Sequence, residues 1–183
     1  MRTFWGYKRK DGRVGIRNHV LILPASVCAS DTTRIIAQGV NGTVTFNLQL
    51  GCSQVGVDFE LTLDTLAGYG ANPNVYGVIV VGLGCETAQA NIVKEKILER
   101  TNKPVETLVI QEEGGTLKTI EKAQRLAKKM VGEAALIRRE EFPLSELILG
   151  TNCGGSDTTS GLAANPIIGK VSDKLVAAGG TSV

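Results

Sequence analysis

The stretch Tyr76-Gly77-Val78-Ile79-Val80-Val81-Gly82-Leu83-Gly84-Cys85-Glu86 joins a continuous apolar run to a glycine-rich turn. A strand that is buried on both faces of a sheet has such a run, because neither face carries alternating polar residues. Each similar run in the 183-residue chain predicts another buried strand. The other runs are Val20 to Leu23, Thr43 to Leu48, Val105 to Ile110 and Leu147 to Leu149.

Segments with helical spacing lie between these runs. From Thr116 to Gly132, apolar residues recur every three or four positions and lysines occupy the remaining surface. A last helix is predicted to have Asn165 as its cap and Pro166 at its first position, and to end at Gly179. Strands that alternate with helices predict an α/β fold, with a mostly parallel sheet covered by helices on both faces in Rossmann-like or flavodoxin-like layering.

The two ends of the chain differ from this pattern. Lys10-Asp11-Gly12-Arg13 is a tight-turn signal between two short runs, so residues 1–19 are predicted to form a small β-hairpin packed on an α/β domain of residues 20–183. Thr181-Ser182-Val183 has the composition of another strand at its start. We therefore expect the α/β domain to be truncated at its carboxyl end.

Composition excludes several classes of partner. The net charge of +2 favours neither nucleic acid nor a membrane surface, and the chain lacks an apolar run of the roughly eighteen residues that a membrane span requires. The apolar segment Val20 to Ala25 is too short for a secretory signal, and its charged lead is too long. We expect a cytoplasmic protein whose four cysteines, none in CxxC spacing, stay reduced.

Every cysteine follows a predicted strand, namely Cys28, Cys52, Cys85 and Cys153. Ligands of open α/β sheets bind at the carboxyl ends of the strands, so the cysteine loops are predicted to meet at one edge and form a site. The last of these loops, residues 151–160, contains almost only small, polar or glycine residues. For any single cysteine, a small buried apolar residue is an equal alternative.

The glycine-rich turns do not match the usual phosphate-binding patterns. Gly82-Leu83-Gly84 lacks the third glycine of a dinucleotide fingerprint, and Lys170 lacks the first glycine of a P-loop. The remaining alternatives are a metal held by thiolate, carboxylate or imidazole, and a small polar anion held by backbone N–H groups and hydroxyls. The candidates for metal or acid–base chemistry are Asp31, Glu86, Asp157 and the only histidine, His19, which lies at the amino end of its strand.

A family resemblance is carried by seven motifs spread over the chain. They are Gly6-Tyr7, Asp11 to Asn18, Gly51-Cys52, Gly82 to Glu86, Gly150 to Asp157, Ser160-Gly161 and Ala164 to Pro166. In content and order they resemble the large domain of the altronate and galactarate dehydratase family. Because Met1 stands directly before that domain, the arrangement is similar to sulfolactate sulfo-lyase, in which the small SAF domain is a separate subunit.

The resemblance implies a lyase that removes water from an aldonate or aldarate, such as altronate or galactarate, to give a 2-keto-3-deoxy acid. Elimination of sulfite from sulfolactate is the alternative. The family further implies a divalent cation, Fe²⁺ with Mn²⁺ as the alternative, that stabilises the ene-diolate. The implied partners are the sugar-acid substrate, a separate small SAF-domain subunit and further copies of the chain in a homo-oligomer.

The resemblance also suggests roles for individual residues. The predicted metal ligands are Cys52, Cys85 and Cys153. The predicted catalytic residues are His19, Glu86 and Asp157, with a residue beyond Val183 as the alternative proton carrier to His19. The predicted substrate-binding residues are Arg13, Arg17, Asn18, Asn152, Gly154, Gly155, Thr158, Thr159 and Ser160.

Other interpretations remain open at this point. Asp157 has an alternative role as a helix N-cap, and the two arginines have one as surface charge of the hairpin. Converging cysteines also suit an iron–sulfur or redox protein. A further alternative for the whole chain is a non-catalytic fragment, which binds a ligand but needs further polypeptide to complete its site.

Overall fold

The computed structural model describes residues 2–152 and 154–183. In chain order its elements are β1 (Thr3–Lys8), β2 (Val14–Gly15), β3 (His19–Pro24), α1 (Ser30–Gln38), β4 (Thr43–Val44), α2 (Gly56–Ala71), β5 (Val75–Gly82), α3 (Ala90–Leu98), β6 (Val105–Val109), α4 (Thr116–Ala135), β7 (Glu140–Pro143), β8 (Ile148–Leu149), α5 (Asn165–Ala177) and β9 (Thr181–Ser182). The predicted α/β class is confirmed. None of the described helices is both long enough and apolar enough to cross a bilayer.

The main sheet is parallel and has the strand order β4-β3-β5-β6. Alternate residues of its central strands face two separate halves of the core. Leu21 and Val80 pack on the side of α2 and α3, whereas Ile22 and Ile79 pack on the side of α1 and α4. Burial on both faces explains why these strands are continuous apolar runs in the sequence.

The strand order creates a crevice between β3 and β5. The chain leaves β3 toward β4 through α1, and it leaves β5 in the opposite direction toward β6 through α3. At such a reversal the two loops diverge to opposite faces of the sheet, and ligands of open α/β sheets bind there. The carboxyl ends of β3 and β5 are therefore the first place to look for a site.

The predicted hairpin is confirmed, since β1 pairs with β2 in antiparallel fashion. Along its other edge β1 pairs with β7. The sequence did not reveal β7 because Glu140 and Glu141 interrupt any apolar run. The hairpin sits at the amino end of the main sheet, where Gly15 lies so close to the Pro73 carbonyl that a Cβ would overlap with it. The predicted boundary between residues 19 and 20 stays a prediction.

The second predicted strand is shorter than expected. Only Thr43–Val44 pairs with β3, and residues 45–48 leave the ladder. Ser30 explains the departure, because its Oγ donates to the Leu48 carbonyl at 2.8 Å and accepts from the Leu48 N–H at 3.1 Å. Phe46 and Leu48 still pack against the core, which is why the sequence resembles a longer strand.

The fifth predicted strand does not belong to the main sheet, and that expectation is wrong. β8 pairs in parallel with β9, which confirms the strand expected at the carboxyl end. β7 pairs with β1 outside the main sheet, and only the short turn Leu144–Glu146 and Leu147 separate β8 from β7, which keeps β8 near the hairpin sheet in the chain.

The last helix also begins earlier than predicted. Helical backbone starts at Thr158, passes through a π-helical turn over Ser160–Ala164 and continues as α5, so Asn165 lies inside it. The prediction of Asn165 as the cap is therefore wrong. Of the apolar side chains of α5, Leu175 is buried, whereas Ile167 and Val171 are exposed.

Candidate active site at the carboxyl edge of the sheet

The loops that follow β3, β4 and β5 form one layer above the crevice. Two backbone hydrogen bonds join these loops: Val27 N–H to Leu50 O (2.8 Å) and Ala88 N–H to Gly51 O (3.0 Å). A third, from Ala25 N–H to Val81 O (2.9 Å), joins the first loop to β5. The edge that the sequence indicated is thus a connected structure. The bonds fix the loops relative to one another as well as to their own strands.

The loop Gly51 to Gln54 is strained. Gly51 has a φ of 90°, and Ser53 has a φ of 58°, the one positive value among the described residues other than glycine. A left-handed serine persists only where its surroundings hold it. Thr87 does so here, because its Oγ1 accepts the Ser53 N–H at 3.1 Å. Strain of this kind concentrates at functional sites.

Glu86 is the most unusual side chain of this edge. Its residue is only 2% exposed, and its Oε2 accepts the Gly84 N–H at 2.6 Å. Its Oε1 is buried and has no hydrogen-bond partner among the described residues. A buried carboxylate oxygen without a donor is costly, so it marks a place where another group supplies the missing partner.

Glycines make room for this carboxylate. A Cβ at position 82 would overlap with Glu86 Oε1, and a Cβ at position 84 would lie 2.5 Å from Gln111 Oε1. Gly84 also has a φ of 128°, which side chains rarely adopt. Gly82 and Gly84 therefore leave room for the side chains of Glu86 and Gln111. This role agrees with the absence of a phosphate-binding sequence pattern in this turn.

Ser26 and Gln111 also belong to this edge, and sequence reasoning missed both. Ser26 follows β3, is fully buried, and its Oγ has no partner within the described part of the chain. Gln111 follows β6, where its backbone N–H donates to the Leu83 carbonyl at 3.1 Å. The rule that finds the cysteine loops also finds these residues, because every loop after a parallel strand reaches the same edge.

The described cysteines lie on three of these loops, as predicted. Cys28 and Cys85 are exposed, Cys52 is partly buried, and all three are free thiols. Cys153, the fourth predicted loop cysteine, lies outside the described residues. Within residues 2–152 and 154–183, no three His, Cys, Asp or Glu side chains group closely enough to hold a metal ion. The metal site of three cysteines therefore stays a prediction.

Four predicted site residues lie at the opposite edge of the sheet. His19 is the first residue of β3, and its N–H donates to the Asn74 carbonyl at 3.0 Å. Arg17 N–H donates to Asn74 Oδ1 at 3.0 Å, and Asn18 Nδ2 donates to the Ala134 carbonyl at 2.7 Å. The fourth residue is Arg13, which forms an ion pair with Asp11 at 2.7 Å. The structure does not bring these residues to the cysteine loops.

Two buried basic side chains form hydrogen bonds at that opposite edge. Arg9 donates to Pro73 O (2.7 Å), Asn18 Oδ1 (2.7 Å) and Arg17 O (2.8 Å), and burial lowers its pKa. Lys103 donates to the carbonyls of Gly70 and Asn72. Burial, followed by the charge of Arg9, lowers the pKa of Lys103 to about 7. The donors of both side chains are directed at acceptors of the fold.

Residues 154–159 are exposed and Ser160 is partly buried, and the hydrogen bonds of the Asp157 side chain stay within this segment. Asp157 Oδ1 accepts the Thr159 hydroxyl (2.7 Å), the Ser160 N–H (2.8 Å) and the Ser160 hydroxyl (3.2 Å), and these bonds, the Thr159 one first, lower the pKa of Asp157. This is the geometry of a helix N-cap, so the alternative interpretation of Asp157 is confirmed.

Four further predicted site residues share this setting. Asn152, Gly154, Gly155 and Thr158 are exposed. Asn152 lines an open groove of about 400 Å³ with Asn165 and Ser172 of the last helix. That groove belongs to the carboxyl-terminal segment, and it contains none of the residues around Glu86.

Comparisons with known proteins also separate the carboxyl-terminal segment from the rest of the chain. The family model described as D-galactarate dehydratase/Altronate hydrolase, second domain, matches residues 6–135, and the model D-galactarate/Altronate dehydratase, C-terminal, matches residues 144–183. Over 182 residues the chain is 43% identical to (2R)-sulfolactate sulfo-lyase subunit beta of Chromohalobacter salexigens, covering 100% of this chain and 46% of that protein.

Two further relatives are dehydratases. Altronate dehydratase of Bacillus subtilis is 36% identical, with 100% of this chain and 38% of that protein covered. Galactarate dehydratase (L-threo-forming) of Escherichia coli is 32% identical, with 98% and 38% covered. The chain thus spans less than half the length of each of these relatives.

Proposed function

The chain belongs to the D-galactarate dehydratase and altronate hydrolase family, and from this premise we propose that it carries the elimination site of a sugar-acid lyase. The substrate is an aldonate or aldarate such as altronate or galactarate. A proton leaves the carbon beside the carboxylate, and hydroxide departs from the next carbon with its bonding electrons and a proton, as water. The resulting enol rearranges to a 2-keto-3-deoxy acid.

The observation that carries this proposal is the free oxygen of Glu86. A carboxylate is a suitable general base when it is positioned within hydrogen-bond reach of the proton that it removes. Gly84 N–H holds one oxygen of Glu86, which leaves Oε1 as a fixed acceptor at the crevice. In this proposal Oε1 takes the proton from the carbon beside the substrate carboxylate.

Ser26 supplies a second polar group on the other side of the crevice. Its buried Oγ lacks a protein partner within the described residues, so a substrate hydroxyl gives it one. Glu86 is almost fully covered, so a rearrangement of this edge must admit the substrate. In this proposal the moving part is the loop Gly51 to Gln54, which hydrogen bonds join to Thr87 and Ala88. The strain at Ser53 lowers the cost of that opening, because the strain is relieved when the loop leaves Thr87.

Loss of sulfite from sulfolactate is the second candidate reaction. The specific observation in its favour is the 43% identity to a subunit of sulfolactate sulfo-lyase. The proton is removed in the same way, and the bond that breaks joins the next carbon to sulfur. The two candidates therefore share Glu86 and differ in the leaving group.

A divalent ion, Fe²⁺ or alternatively Mn²⁺, remains part of the proposal without an assigned step. The described residues do not by themselves fit a metal, because no three suitable side chains lie together. We also keep a cytoplasmic location and homo-oligomerisation as proposals. A separate small SAF-domain subunit is a further proposal, supported by the word subunit in the name of the sulfo-lyase relative.

The proposal is tested by binding and turnover with the purified chain. Altronate, galactarate and sulfolactate are added separately, and the melting temperature and the release of 2-keto acid or sulfite are measured. We expect one acid to raise the melting temperature, Glu86→Gln to abolish this shift, and His19→Gln to retain it. Absence of a shift with every acid, or a shift that survives Glu86→Gln and is lost in His19→Gln, would contradict the proposal.

A further inference from the structure

Lys103 lies at the amino edge of the sheet and lines a small cavity. The cavity has a volume of about 90 Å³, and its wall includes Tyr76 of β5, Pro104 and Ile137. A single water molecule needs about 15 Å³ of such space, so the cavity has room for a molecule of a few heavy atoms. Pro104, Ile137 and the aliphatic stems of the surrounding lysines make part of the wall apolar. The cavity therefore suits a small molecule without net charge.

The side-chain nitrogen of Lys103 has two acceptors within residues 2–152 and 154–183. The residue is only 8% exposed, and Nζ donates to the carbonyls of Asn72 and Gly70, the latter at 3.4 Å. The bond to Cε and these two contacts occupy three of the four tetrahedral directions of the nitrogen. In the neutral amine both N–H groups are then satisfied, and the fourth direction holds the lone pair. Lys103 is thus arranged as an amine nucleophile beside a cavity.

The charge around Lys103 is mainly positive. The charged and titratable side chains that surround it are Lys8, Arg9, Lys10, Asp11, Arg13 and Tyr76. Asp11 is the one carboxylate of this set and pairs with Arg13 at 2.7 Å, and Tyr76 donates its hydroxyl to Glu133 of α4. Burial first, and then the charges of Arg9 and Arg13, lower the pKa of Lys103 to about 7. Much of the amine is therefore neutral at neutral pH.

We propose that Lys103 is a modification site for carbon dioxide, which enters the cavity and forms a carbamate on the side-chain nitrogen. The lone pair of Nζ attacks the carbon atom and an N–C bond forms. One C–O π bond becomes a lone pair on oxygen, and one proton leaves the nitrogen for solvent. The product has one negative charge and one N–H. That N–H keeps the contact with Asn72, so the reaction gives up only the longer contact with Gly70.

The carbamate replaces a repulsion between charges by an attraction. Arg9 and Arg13 repel an ammonium at Lys103, and the same two side chains attract a carbamate. Only the folded chain brings these groups together, so the modification favours the folded state and stabilises it. This inference does not depend on the proposed reaction, because the cavity lies at the opposite edge of the sheet from Glu86.

Chemical trapping in the unchanged chain tests the proposal. The chain is equilibrated with carbon dioxide and bicarbonate at about pH 7.5, treated with triethyloxonium, which converts a carbamate to a stable ester, and mapped by peptide mass spectrometry. Because exposed lysine amines are almost entirely protonated at this pH, we expect roughly a hundred-fold more label on Lys103 than on the exposed Lys170. Unfolding in urea should reduce the label on Lys103 to that of Lys170. Equal label on both lysines in the folded chain, or label on Lys103 that survives unfolding, would overturn the proposal.

Two matched variants connect the modification with stability. Lys103→Arg keeps a positive charge but removes the amine, whereas Lys10→Arg makes the same change at an exposed residue that lines the same cavity. At constant pH and ionic strength, bicarbonate with carbon dioxide should raise the melting temperature of the unchanged chain and of Lys10→Arg, relative to chloride. Lys103→Arg should show no such rise. An equal rise in all three proteins is a general salt effect and would contradict the assignment. The trapping experiment decides alone if Lys103→Arg does not fold, since it uses the unchanged chain.

Discussion

The two edges of the parallel sheet treat buried polar groups in opposite ways. At the amino edge, Arg9 donates to three acceptors and Lys103 to two carbonyls. At the carboxyl edge, Ser26 Oγ and Glu86 Oε1 are buried without a partner among the described residues. A polar network with complete hydrogen bonding stabilises and rigidifies a fold, whereas an incomplete one marks where a ligand supplies the missing partner. Predicted site residues occur at both edges. Those at the carboxyl edge lie on the loops that carry the buried groups without a described partner, and we assign the site to that edge.

The largest effect is expected at the amino edge. Arg9→Met removes three charge-assisted hydrogen bonds of a buried guanidinium and leaves their partly buried acceptors unpaired, so it should lower the free energy of unfolding by about 3 kcal/mol. Arg17→Met is the control, because within residues 2–152 and 154–183 the exposed guanidinium of Arg17 donates only to the Ile16 carbonyl. It should change this free energy by no more than about 0.5 kcal/mol. Urea denaturation measures both. Equal effects of the two substitutions would contradict a structural role for the Arg9 network.

Two glycine substitutions compare how tightly the backbone is packed at the carboxyl edge and in the carboxyl-terminal segment. A Cβ at Gly51 would overlap with the Ala25 carbonyl, and the φ of Gly51 is 90°. Gly51→Ala should therefore lower the free energy of unfolding by about 2 kcal/mol. A Cβ at Gly155 meets no atom within 4 Å, so Gly155→Ala should be close to neutral. A neutral Gly51→Ala would mean that the loop is not held as described.

Lys103, which is buried at the amino edge, makes the free energy of unfolding depend on pH. The pKa of Lys103 is lowered from 10.5 to about 7, so between these values the unfolded chain binds the proton that the folded protein has lost. Stability should therefore rise as the pH increases from about 7 toward 10, and the penalty of burying the charge should be fully present below pH 7. Lys103→Met should flatten this rise. Denaturation curves of both proteins across this range test it, and parallel pH profiles would contradict it.

The smallest expected effect concerns two buried hydroxyls. Thr33 Oγ1 donates to the Ser30 carbonyl at 2.8 Å, so Thr33→Val should cost about 1 kcal/mol of the free energy of unfolding. Ser26 Oγ has no such partner among the described residues, so Ser26→Ala should leave stability unchanged or raise it, while it weakens binding of the acid. Urea denaturation and ligand titration of the same samples measure the two quantities. A clear loss of stability in Ser26→Ala would assign its hydroxyl to the fold.

The sequence predicted what depends on burial and strand order. The central strands are apolar because both faces are covered, and their order along the chain places Cys52, Cys85 and Glu86 at the same edge. It did not predict β7, which forms only because β1 pairs with it from the other end of the chain.

Two further features could not be read from local composition. The departure of residues 45–48 from β4 depends on a side chain of α1, Ser30, that lies distant in sequence. Ser26 was overlooked because a serine in a turn is common. It is unusual in its burial, since its Oγ has no partner in the part of the chain that the structure describes. For Asp157 the local pattern was informative, since an acidic residue three positions before Ser160 is typical of an N-cap.

Hydrogen exchange of the chain with and without the acid that raises its melting temperature tests most directly which edge is the site. We predict slower exchange in peptides that cover residues 25–30, 50–55 and 82–89, with no change in residues 8–19 and 72–76. Protection confined to the amino edge, around Arg17, Asn18 and Asn74, would contradict the assignment of the site to Ser26 and Glu86.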